Sequence, residues 1–71
     1  MRAKEEADDP LSSARHSVAE ARSIVEHQKT LIDRLRTNGD DTGDAELTLS
    51  ALVQTLTTLE GYLRTLSKSA Q

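Results

Sequence analysis

The sequence predicts an all-α fold: a two-helix antiparallel hairpin that dimerises into a four-helix bundle. Apolar residues recur at alternating spacings of three and four along two long segments, as in helices that pack side by side. A polar turn cluster at 38–43 separates these segments. With 71 residues, one aromatic side chain and no cysteine, the chain has too little core for a lone hairpin, so we expect a second chain to complete it.

The N-terminal residues set the start of the first helix. Residues 1–9 are charged and lack apolar periodicity, which predicts a disordered N-terminal tail. Asp9 and Pro10 then form a helix start, because Asp caps free backbone N–H groups and Pro is favoured at the first helical position. The hairpin is predicted over 10–68, with helix 1 at about 10–37, a turn at 38–42 and helix 2 at about 43–68.

Helix 1 carries a heptad pattern with one polar interruption. With Leu11 at position a, the a and d positions are apolar or small except for Gln28, which we expect to fix register or partner choice. Ile24 and Leu31 fall at position g and widen the apolar face beyond that of a two-stranded coil. The outward pairs Arg22–Glu26 and Lys29–Asp33 are expected at a spacing of four residues.

The turn follows from capping residues, and helix 2 carries a second stripe from Ala45 to Ala70, in which Leu49 takes position a and Leu52 takes position d. Asn38 and Gly39 predict the end of helix 1, and Asp41 or Thr42 the next N-cap. Arg34 and Arg36 are expected to approach the acids at 40, 41 and 44. Gly61 falls at an outward position and should loosen helix 2 without ending it.

The segment 47–59 of helix 2 contains no charged residue, which indicates a partner-binding surface of Leu and Thr. The alternative is that its Thr and Ser side chains simply face water. The predicted interface residues share the a and d positions of the two stripes: Val18, Val25, Gln28, Ile32, Leu35, Leu49, Leu52, Leu56, Leu59, Leu63 and Leu66.

One further pattern lies at the turn, where Gly39, Asp41-Thr42 and Ala45-Glu46 form a Gly-x-Asp-Thr-x-x-Ala-Glu motif. Residues 14–66 resemble a family of short, uncharacterised bacterial proteins. Besides the turn motif, the residues that carry the resemblance are Gln28, Leu31-Ile32, Leu35, Leu49, Leu52 and Leu56. The resemblance implies a helical hairpin and carries no implication for activity.

Composition and motifs favour a protein–protein interaction module, an adaptor or regulator, over other function classes. No cysteine, phosphate-binding loop or concave scaffold supports an enzyme, a cofactor or a small-molecule substrate. His16 and Glu20 could together bind a metal, but two ligands are too few, so His16 and His27 are interpreted as surface residues. No apolar run is long enough to span a membrane, and a cytoplasmic location is expected.

A Rop-like nucleic-acid-binding hairpin dimer is the alternative function. It would use the basic residues of helix 1, in a bundle of similar size. The net charge of −3 and the lack of an aromatic residue in helix 1 disfavour it. The expected partner is therefore a second copy of the chain, and the second candidate is a different, unidentified protein.

Overall fold

The computed structural model describes residues 9–70, and these form two antiparallel helices of 28 residues each. Helix α1 spans Pro10–Thr37 and helix α2 spans Gly43–Ala70. The predicted all-α hairpin is confirmed. Helix α2 extends through Gly61 and two residues past the predicted end at 68. Of the predicted tail, Asp9 is described and caps α1, whereas 1–8 lie outside the described residues.

Helix α1 begins as the sequence predicts. The carboxylate of Asp9 accepts a hydrogen bond from the backbone N–H of Leu11 at 3.3 Å and one from the Ser12 hydroxyl at 3.2 Å. Pro10 occupies the first helical position, where its missing N–H costs nothing. The cap therefore satisfies helix-end donors that would otherwise depend on water.

The turn combines a Schellman C-cap with a side-chain N-cap. The N–H of Asp40 donates to the Leu35 carbonyl at 2.8 Å, and the N–H of Gly39 donates to the Arg36 carbonyl at 3.0 Å. Gly39 has φ +78°, a left-handed conformation that favours glycine. On the other side, the Asp41 carboxylate accepts from the Gly43 N–H at 3.0 Å. The chain thus reverses within five residues, 38–42.

The core of the described hairpin is thin and belongs to one helix. The buried side chains are Ala14, Val18, Val25 and Ile32, all on α1. Among residues 43–69 of α2 no residue is buried. Two helices side by side form a single layer, so the seam of the described hairpin buries only these four side chains and leaves the leucines of α2 partly exposed.

Candidate interaction surface

All eleven predicted interface residues lie on the faces that the two helices turn toward each other. Val18, Val25 and Ile32 are buried in this seam. The remaining eight are half-buried: Gln28, Leu35, Leu49, Leu52, Leu56, Leu59, Leu63 and Leu66. Packing between the two helices therefore covers only part of most of these side chains, and the leucines of α2 retain exposed apolar surface.

Gln28 joins the two helices at the turn end of the hairpin. Its Nε2 donates a hydrogen bond to the backbone carbonyl of Ala45 at 2.9 Å, and the side chain is half-buried. An amide placed here requires this particular carbonyl opposite it, whereas a leucine would tolerate several registers. A role of Gln28 in register or partner choice stays a prediction.

One side of the seam, which we name the charged flank, carries ion pairs across the two helices. Arg22 contacts Glu60 at 3.1 Å, and Arg36 contacts Glu46 at 3.3 Å. The two pairs are two heptads apart on both helices, so they report the same antiparallel register. Position e of each helix therefore points to this flank, which also includes Val53, midway between Glu46 and Glu60.

The opposite side of the seam, which we name the neutral flank, consists of position g of each helix. On α1 it holds Ile24 and Leu31, with exposed fractions of 50% and 40%, and on α2 it holds Tyr62, 54% exposed. Each of these residues is two positions along the chain from a residue of the charged flank. Two positions correspond to a rotation of about 200° around the helix axis, so the two flanks lie on opposite sides. The other g positions on α2 between residues 48 and 62 are threonines. This flank thus exposes large apolar side chains and no charge.

The outward side of α2 continues this uncharged character. A shallow, solvent-open depression next to the neutral flank is lined by Ala51, Gln54, Thr55, Thr58 and Leu59. The threonines here are exposed, as the water-facing alternative for this segment requires. The leucines of the same segment, by contrast, are half-buried toward the seam. Leu47 is the exception, at 72% exposed.

Three expected ion pairs differ from those observed. Arg22 pairs with Glu60 across the seam and not with Glu26, because position e faces the neighbouring helix. Lys29 contacts Glu26 at 3.5 Å in place of Asp33. Arg36 contacts Glu46 and, at 3.8 Å, Asp33, whereas it was expected to approach the acids of the turn.

Arg34 was also expected near those turn acids. Within residues 9–70 its side chain forms no ion pair. The heptad position explains the difference, because position c points outward from the seam.

The histidines lie on the outer surface of α1. His16 Nε2 is 3.3 Å from the Glu20 carboxylate, and both side chains are largely exposed. His27 Nδ1 donates to the Ser23 carbonyl at 3.0 Å. Among the described residues no group of three or more His, Cys, Asp or Glu side chains could hold a metal ion.

Sequence reasoning left the residues of the neutral flank out of the predicted interface. The available signal was their spacing: Ile24, Leu31 and Tyr62 each lie one position before an a residue, on the side away from the basic residues of α1. Neither described helix has the length and apolar character needed to cross a membrane. Comparison with known proteins gave no match, whether to a family model, a curated protein or a solved structure.

Proposed function

We propose that the chain is a non-enzymatic protein–protein interaction module, a helical hairpin that associates with a second copy and acts as an adaptor or regulator. The observation that carries the proposal is the incomplete burial of α2. Its seam leucines are half-buried, and none of its residues over 43–69 is buried. In a four-helix bundle each such helix packs against more than one neighbour, and this covers the apolar surface that a single neighbour leaves exposed.

The exposed part of those leucines gives an energetic reason for association with a second chain. Covering about 40 Å² on one of them is worth about 1 kcal/mol. Because a chain this small is marginally stable, covering the whole set changes its stability by a large fraction. A second hairpin laid against the first provides this cover with two copies of one surface, which is the commonest arrangement in soluble oligomers.

The neutral flank is the surface best suited to this contact. It presents Ile24, Leu31 and Tyr62 without a charge that would have to be desolvated. It is also continuous with the uncharged side of α2, so one docked hairpin would cover both. The charged flank, by contrast, already uses its ion pairs to hold the two helices together.

The nucleic-acid alternative would draw on the basic residues of α1, which are Arg15, Arg22, Lys29, Arg34 and Arg36. All but Arg34 lie at position e on the charged flank, and Arg22, Lys29 and Arg36 contact acids within the hairpin. A base that is already paired with a carboxylate gains less from a phosphate, because it gives up one ionic contact to form the other. Retention on heparin or RNA at low salt that weakens with added salt would favour this alternative, and no retention would exclude it.

Light scattering after size exclusion at micromolar concentration tests self-association. We expect twice the chain mass of 7.8 kDa, with a fully helical circular dichroism spectrum. A helical protein with the mass of one chain would overturn the proposal.

Two matched variants test which flank is used. Leu31 and Val53 are both 40% exposed and lie on opposite flanks. We expect Leu31→Glu to give a monomer, because it places a charge in the contact, and Val53→Glu to leave the dimer intact. Loss of the dimer in Val53→Glu alone would assign the contact to the charged flank.

A further inference from the structure

The charge and apolar pattern of α1 specifies how two copies would pair. We propose that two hairpins dock with their α1 helices antiparallel about a twofold axis beside His27, so that Glu20 of each copy faces Arg34 of the other. This inference rests on the self-association proposed above and adds its symmetry and register.

The first support is the pair of charges at the edge of the neutral flank. Glu20 and Arg34 occupy position c of α1, next to position g, and both are exposed. They lie seven residues before and seven residues after His27. Within the described hairpin Arg34 has no ion pair, and the Glu20 carboxylate contacts His16 alone. The charged flank differs, because Arg22 and Arg36 are paired across the seam.

The second support is that the apolar residues have the same centre. Ile24 and Leu31 are the exposed apolar residues of α1 on the neutral flank, and their midpoint falls between His27 and Gln28. A twofold axis at that point sets Ile24 of one copy against Leu31 of the other, and the reverse. A twofold axis repeats every contact, so one register provides two apolar contacts and two ion pairs. The surface is therefore complementary to itself.

The other twofold arrangement of two hairpins matches the charges less well. It would lay α1 of one copy over α2 of the other. Glu20 would then face the uncharged segment around Thr58, with no base to pair with, although Arg34 would approach Asp44. The arrangement centred on His27 pairs both charges.

The expected contact is large enough for a specific but dissociable dimer. With the axis beside His27, residues 18–37 of the two α1 helices overlap, which is about 30 Å of helix. Two helices side by side are about 20 Å wide, so each copy would cover roughly 600 Å², at the low end of specific interfaces. The first eight residues of α1 would project beyond the partner.

Charge reversal tests the register. Glu20 and Arg34 are about 21 Å apart along one helix, beyond the screening length of about 8 Å at physiological salt. Any coupling between the two positions must therefore act between copies. We expect Glu20→Arg and Arg34→Glu each to raise the dimer Kd about tenfold, because two attractive contacts become repulsive. The double variant should return to within about threefold of the wild-type Kd.

Glu26→Arg is the control, because it makes the same charge change on the side of α1 away from the contact. We expect it to leave the Kd within about twofold of the wild-type value. Equal weakening by Glu26→Arg and Glu20→Arg would overturn the register, as would a dimer whose double variant shows no recovery. Both results leave self-association standing. A wild-type chain that is monomeric and helical would instead overturn the proposed function, and the register with it.

Discussion

Leu56→Asp and Thr57→Asp are neighbouring changes for which the structure predicts very different costs. Leu56 is half-buried in the seam, whereas Thr57 is exposed on the outer side of α2. In Leu56→Asp the apolar contact is lost and a carboxylate is placed between two helices. Together these changes should lower the free energy of unfolding by about 3 kcal/mol. In Thr57→Asp neither occurs, and Thr and Asp have similar helix propensities, so the expected change is within about 0.5 kcal/mol.

Urea unfolding followed by far-ultraviolet circular dichroism measures both free energies under the same conditions, at one protein concentration because folding and association are expected to be linked. We expect the Leu56 variant to be mostly unfolded in buffer and the Thr57 variant to unfold close to the wild-type midpoint. Equal destabilisation at the two positions would refute the heptad assignment of α2.

Three further predictions concern the turn, the charged flank and the seam. Gly39→Ala should lower the free energy of unfolding by about 1 kcal/mol, because φ is +78° at this position. Gly61→Ala should raise it by about 0.5 to 1 kcal/mol, because Gly61 lies in mid-helix with open space where a Cβ would be. Thermal unfolding that shows changes of the same sign at both sites would contradict this. A double-mutant cycle of Arg22→Ala and Glu60→Ala should give a coupling of about 0.5 kcal/mol that falls with added salt, and a salt-independent coupling would argue against an ion pair. Gln28→Leu should leave the unfolding free energy unchanged or higher but broaden the oligomer distribution in sedimentation velocity, whereas a single unchanged species would remove its role in register.

Helix existence and the turn could be predicted from the sequence because their causes are local. Asp9, Pro10 and Gly39 act on the backbone within a few residues of themselves, and the structure places each in its predicted role. The end of α2 was predicted two residues early, within the range over which helix ends vary.

The pairing of charges could not be predicted from spacing along one helix. Arg22 has Glu26 four residues away, yet it pairs with Glu60 on the other helix. The choice depends on which side of α1 faces α2, and that is set by packing between residues far apart in the chain. The same packing separates the two flanks and leaves Ile24 and Tyr62 together on the uncharged side.

We expect a second copy to complete the core of this hairpin, and helicity and mass recorded over one dilution series test this expectation. Circular dichroism and light scattering would be recorded on the same samples from high micromolar to nanomolar concentration. We expect a helical dimer at the top of the series and a loss of helicity that follows dissociation, because folding and association are linked. A chain that stays fully helical after its mass has fallen to that of a monomer would contradict this expectation.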